Sequence, residues 1–193
     1  MIKKQIPQDI PKYLKKMNVI PKSVIAGVDF GYINPSAIVV VAIDSDDNHY
    51  VVDELYRSGL TISNLIADGV RLRDKYAVEV FFADPSQPAY IKEMNASGLH
   101  TIAAKNDIIP GINAVCEKLK VNSDGRPSLF VSKRCKNLIR ELENYRYLTK
   151  GGAAESMTEV PVKCDDHACD ALRYAVYSMK CIFKPKSFKP KWL

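Results

Sequence analysis

A chain of 193 residues with 47% hydrophobic content is long enough to bury the core of one domain. No segment approaches the roughly 18 apolar residues of a membrane helix, and the start MIKKQIPQDIPKYLKK lacks the apolar stretch of a signal peptide. We therefore expect a soluble intracellular protein with no membrane partner. The five cysteines are odd in number and show no paired spacing, which favours reduced thiols over a disulfide framework.

The net charge of +6 is unevenly distributed along the chain. Residues 1–22 carry six Lys against one Asp, and residues 180–193 carry five Lys and no acid, whereas residues 23–179 are net acidic. This distribution predicts a basic N-terminal extension or linker at 1–22, one domain at 23–180 and a basic tail at 181–193. Within the domain, residues 117–150 hold nine Lys or Arg against four acids, and this segment is the predicted contact surface for a phosphate backbone.

The first half of the domain predicts a meander of three strands followed by a helix and a fourth strand. Apolar β-branched runs predict strands at 24–28, 37–43 and 50–55, separated by the turns GYINPS and DSDDN. Apolar residues at helical spacing then predict a crossover helix over 62–76 with Thr61 or Ser63 as its cap. The short run 78–82 is typical of a central parallel strand, and it ends just before Asp84.

The second half continues the alternation of helices and strands. The pattern predicts a helix over 87–95, a strand over 100–103 and a helix over 108–119 with Pro110 in its first turn. NSDGRPS predicts a hairpin between Val121 and Leu129, and helices are expected over 137–147 and 166–179. This order predicts an α/β fold in which helices flank a mixed β-sheet.

Three aspartate sites are placed where such a sheet could bring them together. Asp29 and Asp84 each follow an apolar strand run, while Asp166 and Asp170 are four residues apart on the last helix and so share one side of it. Ala168, Leu172, Ala175 and Met179 form the opposite apolar stripe. Clustered carboxylates repel one another and are neutralised by divalent cations, and an all-oxygen site favours Mg²⁺ or Mn²⁺. The pattern predicts metal-dependent chemistry on phosphate.

Four segments, AGVDFGYINPSA, FFADPSQPAYI, KNDIIPGINAV and DDHACDALRYA, occur in this order. Together they resemble the C-terminal nuclease domain of the large terminase subunit of tailed bacteriophages, a member of the RNase H-like nuclease group, over roughly residues 23–180. The resemblance implies an RNase H-like mixed sheet, two divalent cations (Mg²⁺ or Mn²⁺) and endonucleolytic cleavage of concatemeric viral double-stranded DNA with little sequence specificity.

The same resemblance implies a packaging complex in the cytoplasm of the infected bacterial host. Its expected partners are the packaging ATPase domain, the small terminase subunit and the portal. The sequence contains no G-x-x-x-x-G-K-[ST] segment. We therefore expect the packaging motor to lie elsewhere, either on another chain or in a longer protein from which this domain was excised.

The resemblance also assigns roles to individual residues. Asp29 and Asp84 match the first and second catalytic carboxylates, and for the third we favour Asp170, with Asp166 next and His167 as a neighbour that could ligate metal or orient water. In two-metal hydrolysis Asp29 would bridge the cations, Asp84 would complete one site and Asp170 or Asp166 the other. The candidates to hold the DNA backbone are Lys105, Lys133, Arg134 and Lys136.

Other functions remain as alternatives at this point. A junction resolvase or an integrase would use the same carboxylates. GVDFG followed by a meander also suits a sugar-kinase or actin-like ATP-binding fold, which would require a second glycine-rich motif that the sequence lacks. A third alternative is a non-catalytic DNA-binding or assembly module. Cys164, His167 and Cys169 suggest zinc only weakly, because they form no CxxC pair and a fourth ligand is not evident.

Overall fold

The structure of the protein is a computed structural model that describes residues 10–16, 19–145, 147–148, 160–161 and 165–182. No helix within these ranges is long and apolar enough to cross a bilayer. Residues 1–9 of the expected N-terminal extension and residues 183–193 of the expected tail lie outside the described residues.

The described elements follow the predicted alternation closely. The first half contains α1 (Ile10–Lys16), β1 (Ser23–Asp29), β2 (Ser36–Ile43), β3 (His49–Arg57), α2 (Ile62–Tyr76) and β4 (Val80–Ala83). The second half contains α3 (Pro88–Ala96), β5 (Thr101–Ala103), α4 (Ile108–Leu119), β6 (Leu129–Val131), α5 (Lys136–Asn144), β7 (Tyr147–Leu148), β8 (Val160–Pro161) and α6 (His167–Ile182). The helices α2 and α4 have the predicted bounds, and Oγ1 of Thr61 caps α2 by accepting a hydrogen bond from the backbone N of Asn64.

Six strands form a mixed sheet in the order β5-β4-β1-β2-β3-β6, which confirms the predicted fold class. The meander β1-β2-β3 is antiparallel, whereas β4 is parallel to β1, β5 to β4 and β6 to β3. Only β2 therefore runs against the other strands of this sheet. The carboxyl ends of the remaining five strands lie at one edge, which is where α/β sheets place their ligand sites. β7 and β8 pair in a separate two-stranded sheet.

Two sequence predictions in the basic segment are wrong. NSDGRPS does form a turn, since Gly125 has φ 79° and donates to the carbonyl of Asn122, but Val121 lies outside any strand. Instead of closing a hairpin, β6 pairs with β3 in parallel, which buries Leu129 and Val131 against the sheet core. The helix expected over 137–147 ends at Asn144, because Tyr145 has an extended backbone.

Each face of the six-stranded sheet carries its own hydrophobic core. Along β2 the side chains alternate, so Val39 and Val41 pack with α4, α5 and α6, while Ile38 and Val40 pack with α1, α2 and α3. This arrangement buries the whole of β2 on both sides. Helix α1 was not expected from the sequence; its buried Ile10 and Leu14 join the second core, so part of the 1–22 segment packs on the domain.

Candidate active site

The first two predicted carboxylates lie side by side at the ends of neighbouring parallel strands. Asp29 is the last residue of β1 and Asp84 directly follows β4. Val28 pairs with Ala83, and the backbone N of Asp84 donates to the carbonyl of Val28 at 2.9 Å. The strand alternation directs Asp29 to the face that α6 covers, since Ile25 belongs to the core on that side. Strand pairing thus fixes the relative position of the two carboxylates.

Helix α6 brings the last predicted carboxylates to the same place because it lies directly on β1. A Cβ atom on Gly27 would overlap the carbonyl oxygen of Ala171, so no residue with a side chain fits there. The close approach places Asp170, the residue before Ala171, near Asp29, and its negative charge contributes to raising the pKa of Asp29. The glycine therefore sets how close the helix carboxylate can come to the strand carboxylate.

Asp29 is almost fully buried and its carboxylate is paired with His167, the first residue of α6. Nδ1 of His167 lies 2.9 Å from Oδ2 of Asp29. Burial raises the pKa of Asp29, the contact with His167 lowers it, and the charges of Asp170 and Asp84 raise it again, so the net shift is upward. The same hydrogen bond is the main cause of a raised pKa at His167. This hydrogen bond thus links the end of β1 to the start of α6.

The carboxylate of Asp84 accepts hydrogen bonds from its own loop. Oδ1 accepts from the backbone N of Ser86 at 2.9 Å, and Oδ2 accepts from Oγ of Ser86 at 2.6 Å. This is a short local turn of the kind that Asp forms readily at strand ends. It holds the side chain of Asp84 in one orientation at the carboxyl edge of the sheet.

Asp170 is held by a buried arginine one turn further along the helix. Nε and Nη2 of Arg173 donate to Oδ1 of Asp170 at 3.1 and 3.0 Å, and Nη1 and Nη2 donate to Oδ1 of Asn106, each at 3.2 Å. Arg173 is only 4% exposed, and its guanidinium stacks over the ring of Tyr174. Because Asn106 lies in the loop after β5, this arginine ties the helix carboxylate to a second strand end.

Asp166 stands just before α6 and contributes differently from Asp170. Its backbone carbonyl accepts a hydrogen bond from the backbone N of Asp170 at 2.7 Å, which starts the helix. Of the predicted apolar stripe of Ala168, Leu172, Ala175 and Met179, the first three are buried and Met179 is half-buried, while burial on α6 also includes Arg173. The expected division into an acidic side and an apolar side is therefore too simple, because helices and sheet enclose α6 on several sides.

These side chains line one open cavity of about 900 Å³ at the carboxyl edge of the sheet. Its acidic lining residues are Asp29, Asp84, Asp165, Asp166 and Asp170, and His167 lies among them. Within the described part of the chain, however, no group of three or more His, Cys, Asp or Glu side chains is arranged to hold a metal ion. Each of the three main carboxylates instead accepts hydrogen bonds from a nearby protein donor.

The oxygen atoms of these carboxylates nevertheless fit the ligand preference of a hard divalent cation. Its ligands would be carboxylate oxygens, the type that Mg²⁺ and Mn²⁺ prefer. The negative charges of Asp170 and Asp84 already raise the pKa of Asp29, so a bound cation would relieve an existing repulsion. Asp29, Asp84 and Asp170 or Asp166 are the residues that could hold it.

The predicted DNA-binding residues lie outside the cavity lining. Lys105 is exposed and precedes the lining residue Asn106. Lys133, Arg134 and Lys136 are exposed between β6 and the start of α5. We call Lys133, Arg134 and Lys136 the α5 basic cluster. The cluster follows the end of β6, which lies opposite Val51, whereas Asp29 lies level with Tyr56 through Ala37.

The structure gives no support to the zinc alternative. The ring of His167 is engaged with Asp29, whereas Cys169 is buried and its backbone N donates to Glu141. Burial raises the pKa of the Cys169 thiol, which disfavours the thiolate that zinc requires. Cys164 lies outside the described residues.

Three residues that organise the site were missed by the sequence analysis. Arg173 donates to Asp170, Asn106 accepts from Arg173, and Gly27 allows α6 to lie close to β1. The D-x-x-R spacing of Asp170 and Arg173 was a usable signal, because residues three apart on a helix are neighbours. Asn106 and Gly27 gave no comparable signal, since their roles depend on contacts between distant parts of the chain.

A mixed sheet with one reversed strand, helices on both faces and carboxylates at the ends of β1 and β4 defines an RNase H-like nuclease fold. The family described as terminase RNase H-like domain matches residues 29–178, and the chain belongs to this family. The chain is accordingly homologous to the nuclease domains of phage large terminases, as its resemblance predicted. The match favours a nuclease over the ATP-binding alternative.

Two curated relatives are large terminase subunits. The chain is 27% identical to that of Escherichia phage T5 over 158 residues, covering 79% of this chain and 34% of the relative. It is 29% identical to the PBSX phage terminase large subunit of Bacillus subtilis (strain 168) over 154 residues, covering 78% of this chain and 33% of the relative. The chain therefore spans about one third of the length of these relatives.

Solved structures show the same fold. The large terminase of a thermophilic bacteriophage in complex with ATP-γ-S superimposes with a TM-score of 0.71 at 25% identity, covering 83% of this chain and 41% of that one. The large terminase nuclease domain of bacteriophage SPP1 with bound Mn superimposes with a TM-score of 0.60 at 24% identity, covering 83% of this chain and 86% of that one. The second match thus aligns most of this chain with most of that nuclease domain.

Proposed function

We propose that this chain is a metal-dependent DNA endonuclease that cuts concatemeric viral DNA during genome packaging. The observation that carries the proposal is the placement of Asp29 and Asp84 on adjacent strand ends, in one cavity with Asp166 and Asp170. Membership of the terminase RNase H-like family supports the reaction class. The proposed substrate is double-stranded DNA, cut with little sequence preference.

Two divalent cations, Mg²⁺ or Mn²⁺, are the proposed cofactors. When bound, such ions would supply an activated water and stabilise the leaving 3′ oxygen. Asp29 is the proposed shared ligand, with Asp84 completing one site and Asp170, or Asp166, the other. The nuclease domain of phage SPP1 was crystallised with Mn and that of phage G20c with cobalt, which supports divalent-metal use in proteins of this fold.

The protein's own contribution is to place and orient these carboxylates. Strand pairing fixes Asp29 beside Asp84, Arg173 restrains Asp170, and Ser86 restrains Asp84. His167, when protonated, donates from Nδ1 to Asp29 and holds that carboxylate in one rotamer. Such residues act by orienting ligands, and loss of one typically reduces metal affinity or activity about 10- to 100-fold.

DNA would be held by basic side chains outside the cavity. We propose that Lys105, next to the cavity, and the α5 basic cluster contact phosphates without reading sequence. The exposed positions of these residues support this role. In a packaging complex the proposed partners are the packaging ATPase domain, the small terminase subunit and the portal.

A plasmid assay tests the proposal directly. The protein is incubated with supercoiled plasmid plus Mg²⁺, Mn²⁺ or EDTA, and nicked and linear products are separated by electrophoresis. Cleavage that requires metal and disappears in EDTA and in Asp29→Asn is the expected result. Cleavage that persists in excess EDTA would contradict the two-metal mechanism.

A non-catalytic DNA-binding or assembly module is the second candidate. It is favoured by one observation, namely that within the described residues no three potential ligands form a ready metal-binding group. The same assay separates the two functions, because a non-catalytic module would retard DNA on a gel yet leave the plasmid supercoiled at every metal concentration.

A further inference from the structure

The loop between β1 and β2 exposes two large side chains beside the acidic cavity. Tyr32 is 65% exposed and Ile33 is 90% exposed, and both line the cavity that contains Asp29 and Asp84. Side chains of this size are normally buried or occupy a contact surface when they are grouped. Both side chains are therefore accessible to a molecule that enters the cavity.

The loop that carries them is fixed by contacts at both ends. Oγ of Ser36 accepts from the backbone N of Gly31 at 3.1 Å and donates to its carbonyl at 2.6 Å, while the backbone N of Gly59 donates to the carbonyl of Tyr32 at 2.7 Å. A Cβ atom on Gly31 would lie 2.5 Å from the carbonyl oxygen of Asn34, so the chain turns back tightly on itself. The exposed side chains are therefore presented by an ordered turn, an arrangement that lowers the entropic cost of binding.

A second apolar group lies on another part of the same cavity wall. Ile108, at the start of α4, is 42% exposed and lines the cavity, and the neighbouring Ile109 is also exposed. Helix α4 follows β5, whereas the β1–β2 loop follows β1, and β4 with Asp84 lies between these two strands. The carboxylates are thus flanked by apolar side chains along the sheet edge.

The charge of the cavity favours uncharged parts of a nucleic acid at this position. Among its described lining residues the basic ones are His167 and Arg173, and each is already bound to a carboxylate. Attraction of phosphate by the side chains that line the cavity is accordingly weak. Aromatic and aliphatic side chains can instead stack on nucleobases or wedge between base steps, which unstacks and kinks a duplex.

We propose that Tyr32 and Ile33 form an apolar wedge that contacts the bases of the DNA strand entering the cavity. The inference rests on the proposed nuclease function and names how its substrate is distorted at the site. Tyr32 would stack on a base face, and Ile33 would fill the space that the displaced base leaves. The wedge acts on any sequence, since every base has an apolar face.

The test uses the full chain carrying Asp29→Asn, which prevents cleavage during binding measurements. This protein is the parent, and the wedge variant adds Tyr32→Ser and Ile33→Ser to it. The matched control adds Ile20→Ser to the parent. Ile20 is 81% exposed and lies just before β1, at the end of the sheet opposite the carboxylates. Each protein is titrated into duplex DNA containing 2-aminopurine at several salt concentrations. Base fluorescence reports unstacking, and anisotropy of a labelled duplex reports affinity.

The parent and the Ile20→Ser control should increase 2-aminopurine emission, and the wedge variant should lose this signal. Its affinity should fall about tenfold, the size expected when the stacking of one base is removed. The slope of log affinity against log salt should not change, because no charge has been removed. Adding back an aromatic ring, with Tyr32→Phe and Ile33 retained, should restore the fluorescence change.

Unchanged emission and affinity in the wedge variant would overturn the inference. So would a variant that binds DNA normally but loses self-association in analytical ultracentrifugation, since the surface would then contact protein. The proposed function fails in a separate way, by absence of metal-dependent cleavage in the chain without Asp29→Asn. A wedge signal without any cleavage would retain the inference for a DNA-binding module.

Discussion

Nδ1 of His167 lies 2.9 Å from Oδ2 of Asp29, so the first residue of α6 is joined to the last residue of β1. The two residues are 138 positions apart in sequence. Their pairing holds the N-terminus of the helix against the strand end where the carboxylates meet. It also makes the ionisation of each group depend on the other.

Asp29→Asn should abolish cleavage and stabilise the metal-free fold at neutral pH. The pKa of Asp29 is raised, chiefly by burial, so the ionised carboxylate costs folding free energy that the amide does not. Metal binding should weaken as well, because the amide is neutral and offers one ligand oxygen where the proposed Asp29 ligand offers two. Plasmid cleavage and thermal unfolding in EDTA measure the two effects. A variant with wild-type turnover would remove Asp29 from the mechanism.

The stability of the metal-free protein should depend on His167 in a defined direction. The pKa of His167 is raised from 6.5, mainly by its hydrogen bond with Asp29. Its contribution to stability is therefore complete below about pH 6.5 and is lost as the pH rises through the higher folded value. The difference in melting temperature between wild type and His167→Gln should shrink across this range.

The control for that measurement is His100→Gln. His100 is exposed, and Nδ1 lies 3.2 Å from the carbonyl oxygen of Glu79, a neutral partner. Its substitution gives the change in melting temperature that follows from losing a histidine outside the cavity lining. If the His167 difference were instead constant from about pH 5.5 to 9, a range that spans the ordinary histidine pKa, the ionic link to Asp29 would not contribute to folding.

Asp170 on α6 and Asp166 just before α6 should differ in importance. Asp170→Ala should lose activity more completely than Asp166→Ala, with His167→Ala intermediate. The carboxylate of Asp170 acts on the pKa of Asp29, whereas the hydrogen bond described for Asp166 is made by its backbone carbonyl, which alanine retains. Cleavage rates at saturating Mn²⁺ rank the three variants. Coordination by Asp166 with Asp170 turned away, in a metal-soaked crystal, would reverse the ranking.

The sequence predicts well those parts of the fold that depend on local pattern. The predictions of a helix over 62–76 and of strands around 24–28 and 37–43 are correct, because hydrophobic periodicity and helix caps depend only on residues close in sequence. The pairing of β6 was not predicted, since a short apolar run after a glycine turn fits a hairpin equally well. Its actual partner is set by burial against β3, which only the assembled sheet defines.

The site shows the same limit at the level of side chains. Asp29 and Asp84 were predictable as strand-end residues, and the spacing of Asp166 and Asp170 placed them together. The orientation of each carboxylate was not predictable, because it depends on Ser86 and on an arginine whose burial the sequence does not reveal. The D-x-x-R spacing indicates that Arg173 can pair with Asp170, but polar residues on a helix usually face solvent, so the burial of Arg173 is not predictable from the sequence.

Arg173 should therefore be tested as a positioning residue for Asp170. Arg173→Met should reduce cleavage about 10- to 100-fold and raise the Mn²⁺ concentration needed for half-maximal rate, since Asp170 loses two hydrogen bonds. Arg173→Lys should restore part of both, because it keeps the charge but not the forked geometry. Calorimetric titration with Mn²⁺ separates weaker metal binding from misfolding. Equal metal affinity in all three proteins would contradict this role.

The α5 basic cluster should contribute to DNA affinity and not to chemistry. Replacing Lys133, Arg134 and Lys136 with Gln should weaken binding and reduce the log–log salt slope by about 0.9 for each phosphate that is no longer neutralised. The cleavage rate at saturating DNA and the metal affinity should be nearly unchanged, because these side chains lie outside the cavity.

The matched control for the cluster removes the same number of positive charges from residues that lie before the amino end of β6. Lys118, Lys120 and Arg126 belong to the same basic segment but precede β6, and Lys118 already pairs with Asp47. Their replacement by Gln should leave the salt slope unchanged. A third protein lacking residues 183–193 tests the lysine-rich tail. If the tail deletion removes binding while the cluster variant keeps its slope, the phosphate contacts lie in the extension and the assignment to α5 is wrong.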